Sequence, residues 1–286
     1  MKPRQRPLEE PYRSRAVPPG TVRYWSWLFS ARECREPLLG IYALLAEWRA
    51  LMDPGTEAKV AQLKLAWWQD EIGRLSAGSP VHPISRYLAA LPRAGVADFA
   101  PLARAVDAAL MQVAGAPLER GEELKTHSSA LRGGPLLVAA RLAGSLAAEA
   151  EEASLGCVSA LAAGEYLAGA IADYRRAARF GRVAFPVDEL LTARIEDADL
   201  SAADPPPHLQ SYLGGLRRRA AQLFADAADA TDALPRAERA QLRHLLVLAA
   251  LGANHLNSRR APADADFRLH DLYLAWSTAR RAALQT

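Results

Sequence analysis

Cysteine is nearly absent from this chain of 286 residues: only Cys34 and Cys157 occur, far apart and without metal-ligand spacing. That argues against a disulfide framework or a thiolate site and leaves two reduced, buried thiols as the expectation. The six histidines include no HExxH pairing, and no GxGxxG, GxxxxGK[ST] or GxSxG stands in a setting that would use it. No uninterrupted apolar run reaches 18 residues, so no transmembrane segment is expected. A formal net charge of +3 is too small to argue for nucleic acid, which is not expected as a partner. Alternating strand patterns with hairpin turns are missing as well.

What is present is apolar and helical. Half the residues are hydrophobic and alanine is abundant, which suits helices packed closely together. Residues 1–22 are basic and proline-rich (Lys2, Arg4, Arg6, Arg13 and Arg15 among Pro3, Pro7, Pro11, Pro18 and Pro19) and lack the apolar core of a signal peptide. They read as a disordered tail, with a hold on anionic lipid as the alternative. Residues 23–286 read as one all-α domain. Helices are expected over 35–52, 57–77, 84–91, 99–113, 118–144, 147–179, 206–230, 237–257 and 266–283. Asp53-Pro54-Gly55 stops the first of these. Gly133-Gly134-Pro135 either kinks a continuous helix, bringing its backbone close to a neighbour or ligand, or marks a plain boundary.

Three stretches carry more than helical pattern: YALLAEWRALMD at 42–53, KLAWWQDEIGRL at 64–75 followed by SPVHPI, and AGAIADYRRAARFGRVAFPVDEL at 168–190. Their order and spacing resemble the squalene/phytoene synthase family of head-to-head prenyl transferases. The landmarks are Tyr42-Ala43, Trp67 and Trp68, His82-Pro83, and Gly181-Arg182 with Pro186. Residues 124–144 and 271–282 extend the likeness over nearly the whole chain after residue 23. The resemblance implies the isoprenoid synthase fold, a single-domain helical bundle. It also implies carboxylates on two facing helices that hold magnesium ions against a prenyl diphosphate. A DxxxD spacing would put both acids of a helix on one face.

Here those motifs are eroded. Where the family's first acid-rich motif falls, the chain reads Arg49-Ala50-Leu51-Met52-Asp53; at the second it reads Asp173-Tyr174-Arg175-Arg176-Ala177. One acid remains in each. Asp53 and Asp173 are the residual metal candidates, able to share one ion across the bundle; otherwise Asp53 caps its helix or pairs with Arg49, and Asp173 pairs with Arg175 or Arg176. Arg49, Arg175, Arg176 and Arg182 are candidates for holding a diphosphate or acidic head group by guanidinium forks, the alternative being a solvated basic face. Tyr42, Trp67 and Trp68 are pocket candidates, although adjacent tryptophans about 100° apart on a helix cannot both point inward. His82 is expected as a hydrogen-bonded loop residue, Asp70 and Glu71 as a solvated face, and His127 with Ser128 and Ser129 as no catalytic triad.

The erosion favours a binding or assembly role without catalysis, with an isoprenoid ligand or a membrane-complex protein as partner. In this the chain resembles the degenerate branch that includes a mitochondrial respiratory complex I assembly factor. The alternative is a divergent transferase acting on prenyl diphosphates. No cofactor is expected, with Mg2+ needed only under that alternative. The expected location is cytoplasmic, peripheral to the inner face of a membrane.

Overall fold

The computed structural model describes residues 7–144, 151–256 and 268–284. Every regular element among them is helical. The helices are α1 (Glu10–Ala16), α2 (Val22–Leu28), α3 (Arg32–Met52), α4 (Ala58–Ser76), α5 (Pro83–Ala89), α6 (Ala100–Val113), α7 (Glu123–Ser128), α8 (Gly134–Ala143), α9 (Glu151–Arg179), α10 (Val187–Thr192), α11 (Asp197–Ser201), α12 (Pro207–Asp232), α13 (Arg236–His255) and α14 (Leu269–Leu284).

Spacing explains which faces turn inward. On α4, Leu65, Trp68, Ile72 and Leu75 recur at helical intervals and are buried, while Val60, Leu63 and Trp67 on the other faces stay exposed. α3 buries Leu38, Ile41, Tyr42, Leu44 and Trp48, then ends at Met52. Asp53 takes its C-cap position and accepts a hydrogen bond from the Gly55 N–H at 2.8 Å, so the expected Asp-Pro-Gly stop is formed. α9 is the central helix, packed along α12 and against α13, α7 and α8; α3 packs on α8, α1 and α5. By length and composition Leu155–Arg179 could cross a membrane, with a mean hydropathy of 1.5, yet half of its most apolar stretch is covered by its neighbours. Cys34 and Cys157 are both buried, neither in a disulfide.

The expectation of a disordered leader is corrected for residues 7–22. Leu8, Ala16 and Val17 are buried, α1 lies on α3, and Arg15 pairs with Glu47 at 2.8 Å. Proline at the first turn of α1 costs no hydrogen bond, since the N–H groups there lack helical partners anyway. Thr21 then caps α2 by accepting from the Tyr24 N–H at 3.2 Å. Residues 1–6 of the leader, the start of the helix expected from 147, residue 257 and residues 266–267 lie outside the described residues.

At Gly133-Gly134-Pro135 the helix continues through a π turn, Ser129–Gly133, that joins α7 to α8. A Cβ on Gly134 would stand 3.0 Å from the Pro101 carbonyl oxygen, and one on Gly133 would stand 3.2 Å from Val158 Cγ1. Only glycine lets this backbone sit so close to α6 and α9. The π turn also carries Arg132.

Candidate functional site

The site begins where α3 and α9 end beside each other. Gly181, at φ 67°, stops α9 by adopting the left-handed conformation that glycine accepts without strain. The chain turns back and Arg182 donates from Nη1 to the Met52 carbonyl at 3.1 Å, supplying one of the missing partners at the C-terminus of α3. One turn before the end of α9, Arg176 Nη2 reaches both oxygens of Asp53, at 2.6 and 2.8 Å. Arg176 on α9 and Arg182 just beyond it therefore both bridge to the end of α3. The expected pairing of Asp53 with Arg49 is replaced by this contact across the bundle. The Arg176 guanidinium holds the Asp53 carboxyl below its usual range, helped by the Gly55 N–H and opposed by partial burial.

Asp173 faces the same space but makes no hydrogen bond or salt bridge among the described residues. Burial raises its pKa, and Asp53 adds to the rise against the pull of Arg176 and Arg49. Its i+4 neighbour is Ala177.

Both acids stand on the wall of a cavity of about 800 Å3 that runs into the bundle between α2, α3, α6, α7, α9 and α13. Small side chains make the room, notably Ala46, Ala50, Ala168, Gly169 and Ala172, with Met111, Leu131, Phe224 and Leu248 as apolar wall. Asp53 and Arg176 sit near its opening, where their side chains are 37 % and 50 % exposed. Its inner end narrows to a recess of about 50 Å3 lined by Arg23, Tyr42, Arg49, Arg132 and Glu165. His127 and Tyr166 stack edge to face on the cavity wall, ring centres 5.5 Å apart. Burial and the nearby Arg132 cation keep the His127 imidazole below its ordinary pKa, and burial pushes the Tyr166 hydroxyl up to about 12.

Several sequence candidates fall elsewhere. Arg175 turns away from the cavity, donating to the Ala203 carbonyl at 2.6 Å and to the Tyr174 hydroxyl at 3.1 Å. Trp67 and Trp68 line no part of the cavity: Trp68 is buried against Trp48 and His82, while Trp67 is half-exposed with Arg74 over its ring. Tyr42 borders the recess, its hydroxyl 2.8 Å from Ser26 Oγ. His82 is the expected loop residue; its Nδ1 accepts from the Ile84 N–H at 3.2 Å and caps α5. Glu71 is the clearest reversal of a surface reading. Its side chain is fully buried and accepts from the backbone N–H groups of Val81 and His82 and from Arg74 Nε, all within 2.9 Å. Burial alone would raise its pKa, and these donors bring it below the usual range instead.

The model of the squalene/phytoene synthase family matches residues 19–279. This chain belongs to the squalene/phytoene synthase family. Its fold is that of solved relatives. A dehydrosqualene synthase bound to a ligand superposes with a TM-score of 0.71, at 13 % identity over 91 % of this chain and 90 % of that one. Squalene synthase HpnC from Alicyclobacillus acidocaldarius superposes with a TM-score of 0.65, at 20 % identity over 81 % and 85 %. No curated protein matches by sequence.

The donors that this family member offers do not fit a magnesium cluster. Both Asp53 oxygens already accept from Arg176, Asp173 is the one other carboxylate at that level of the cavity among the described residues, and Arg49 and Ala177 stand where further acids would be needed. No group of three His, Cys, Asp or Glu side chains among the described residues is arranged to hold an ion. What remains is a large open-mouthed cavity whose walls are more apolar than polar and carry several guanidinium groups, suited to hold an anion attached to an apolar body. Arg23, Arg132 and Glu165 were not identified from the sequence. Each is a single charge inside an apolar run (TVRYWSW, SALRGGPLL, LAAGEYLAGA), and such charges mark a polar lining within a helical core.

Proposed function

We propose that this squalene/phytoene synthase family member binds an isoprenoid compound with an acidic head group and does not ionise it. The observation that carries the reading is the Arg176–Asp53 pair. A cation of the chain's own occupies the carboxylate that would otherwise be offered to a metal ion. Leaving-group activation by a metal cluster needs several carboxylates facing one ion, and one unpaired acid, Asp173, cannot supply it. The retained cavity of about 800 Å3 supports a ligand of isoprenoid size.

The finer likeness to the complex I assembly-factor branch belongs to the same proposal, with a membrane-complex protein as partner and a place at the inner face of a membrane. For that place, α14 offers Leu269, Tyr273, Trp276 and Leu284 exposed along one face, with Arg280 over the Trp276 ring at 5.2 Å. The only acid of α14, Asp271, is buried and bonded to His255. An aromatic and cationic face of this kind suits an anionic bilayer surface, and co-sedimentation with phosphatidylglycerol vesicles but not phosphatidylcholine vesicles is the expected behaviour.

The deciding experiment is equilibrium binding of farnesyl diphosphate by calorimetry, once with Mg2+ and once with EDTA. The reading expects similar affinity in both. Affinity that appears only with Mg2+ would favour the alternative, a divergent transferase using Asp53 and Asp173, whose support is that both acids face one cavity.

A further inference from the structure

The recess at the inner end of the cavity brings together charged side chains from α2, α3, the π turn and α9. Arg23 lies over the Tyr42 ring at 5.9 Å, yet its guanidinium donates no hydrogen bond among the described residues. Arg132, on the π turn, has a buried Nε without a hydrogen-bond partner, and its guanidinium lies against Gly169, where a Cβ would come within 3.4 Å of Nη2. Glu165, from α9, accepts no hydrogen bond among the described residues. Arg49 completes the recess. Among the described residues, Arg23 and Arg132 face a single carboxylate there, Glu165, and positive charge is left in excess inside the bundle. Burial, reinforced by Arg49 and Arg132, pushes the Arg23 pKa down to about 10 despite the opposing pull of Glu165. Excess buried charge without an acceptor is costly and is rarely retained without a counter-charge.

Resting on the binding reading above, we propose that Arg23 and Arg132 form a metal-independent site for a phosphate-class oxyanion. This site is separate from the level of Asp53 and Asp173. Glu165 precedes Asp173 by eight residues on α9, which at 1.5 Å per residue places it roughly 12 Å further in. The guanidinium forks supply paired N–H donors with the planar geometry that phosphate oxygens accept, and their charge does what a metal ion would otherwise do for binding. Glu165 lowers the net charge of the recess. Nothing in this arrangement breaks a bond. The shared chemistry is a diphosphate or monophosphate group, borne either by an isoprenoid or by a small soluble compound.

The test is calorimetry on the full chain in EDTA, with farnesyl diphosphate and inorganic pyrophosphate as probes, for the wild type, Arg23→Gln, Arg132→Gln, Asp173→Asn and Glu165→Gln. Arg23→Gln and Arg132→Gln are each expected to weaken the bound probe about tenfold or more, and Asp173→Asn less than about twofold. Glu165→Gln is expected to tighten binding severalfold, because it removes the one opposing charge; a purely structural glutamate would not do this, and this variant keeps the test valid if an arginine variant fails to fold. Pyrophosphate binding as tightly as farnesyl diphosphate would identify a soluble phosphate ligand, and a strong preference for farnesyl diphosphate an isoprenoid one; both support the site. Folded arginine variants that bind like the wild type, or weaker binding by Glu165→Gln, would overturn the deep site while leaving the binding reading standing. A wild type that binds neither probe would overturn both.

Discussion

A single exchange of residue type decides how the end of α9 is read. Asp53 is held by Arg176, so the carboxylate is satisfied, and Asp173 is left ionisable beside it without a hydrogen-bond partner. Removing the Asp173 charge should therefore relieve the fold. Asp173→Asn is expected to raise the melting temperature slightly, as scanning calorimetry at pH 7 would show, whereas a load-carrying acid would give a fall. Restoring the family pattern is the converse experiment. Arg49→Asp combined with Ala177→Asp should create a Mg2+-dependent rise in melting temperature that the wild type lacks; no gain in a folded double variant would show that spacing alone does not make the site. Glu71 gives a third residue-level outcome. Glu71→Gln leaves up to three donors poorly matched in a buried place and should cost about 1–3 kcal/mol. Its folded pKa is depressed, so its contribution is complete above the unfolded carboxylate value of about 4.3 and is lost as pH falls through the lower folded value. The pH dependence of urea unfolding between neutral and acid conditions should thus flatten in Glu71→Gln.

Helix by helix, the sequence is readable wherever an apolar stripe runs long enough to be counted. α3, α4, α6, α12 and α13 begin and end within a few residues of their expected bounds. The short helices α1, α10 and α11 escape because fewer than two turns carry too few apolar positions to show a period. The leader shows the same limit: its prolines and arginines mask the three apolar side chains that seat it. Packing between elements depends on pairs that no local pattern reveals. The Phe224 ring of α12 lies between Gly164 of α9 and Gly252 of α13, and a Cβ on Gly252 would meet the ring at 2.5 Å. Gly252→Val should destabilise by about 1–3 kcal/mol through overpacking. Phe224→Ala should cost about 3–5 kcal/mol and open the wall of the cavity. Thermal melts of the two variants check both values.

Over the whole molecule, the ordered set of motifs carries the family, found by its model over residues 19–279, and the fold, found in solved structures at identities of only 13 % and 20 %. The candidate site was legible only in part. Arg49, Asp173 and Arg176 reach one cavity through the helix faces they occupy, and Asp53 and Arg182 join them from just past the ends of α3 and α9. The inner recess was not legible, since Arg23, Arg132 and Glu165 come from three distant segments that only the bundle brings together. Trp67, Trp68 and Arg175 show the opposite error, a conspicuous residue turned to another neighbour. This cavity is expected to bind its ligand without ionising it. The most direct test is diphosphate release from labelled farnesyl and geranylgeranyl diphosphate over hours, with purified protein in excess and millimolar Mg2+. The account predicts release no faster than in buffer alone. Mg2+-dependent release that Asp53→Ala or Asp173→Ala abolishes would contradict it.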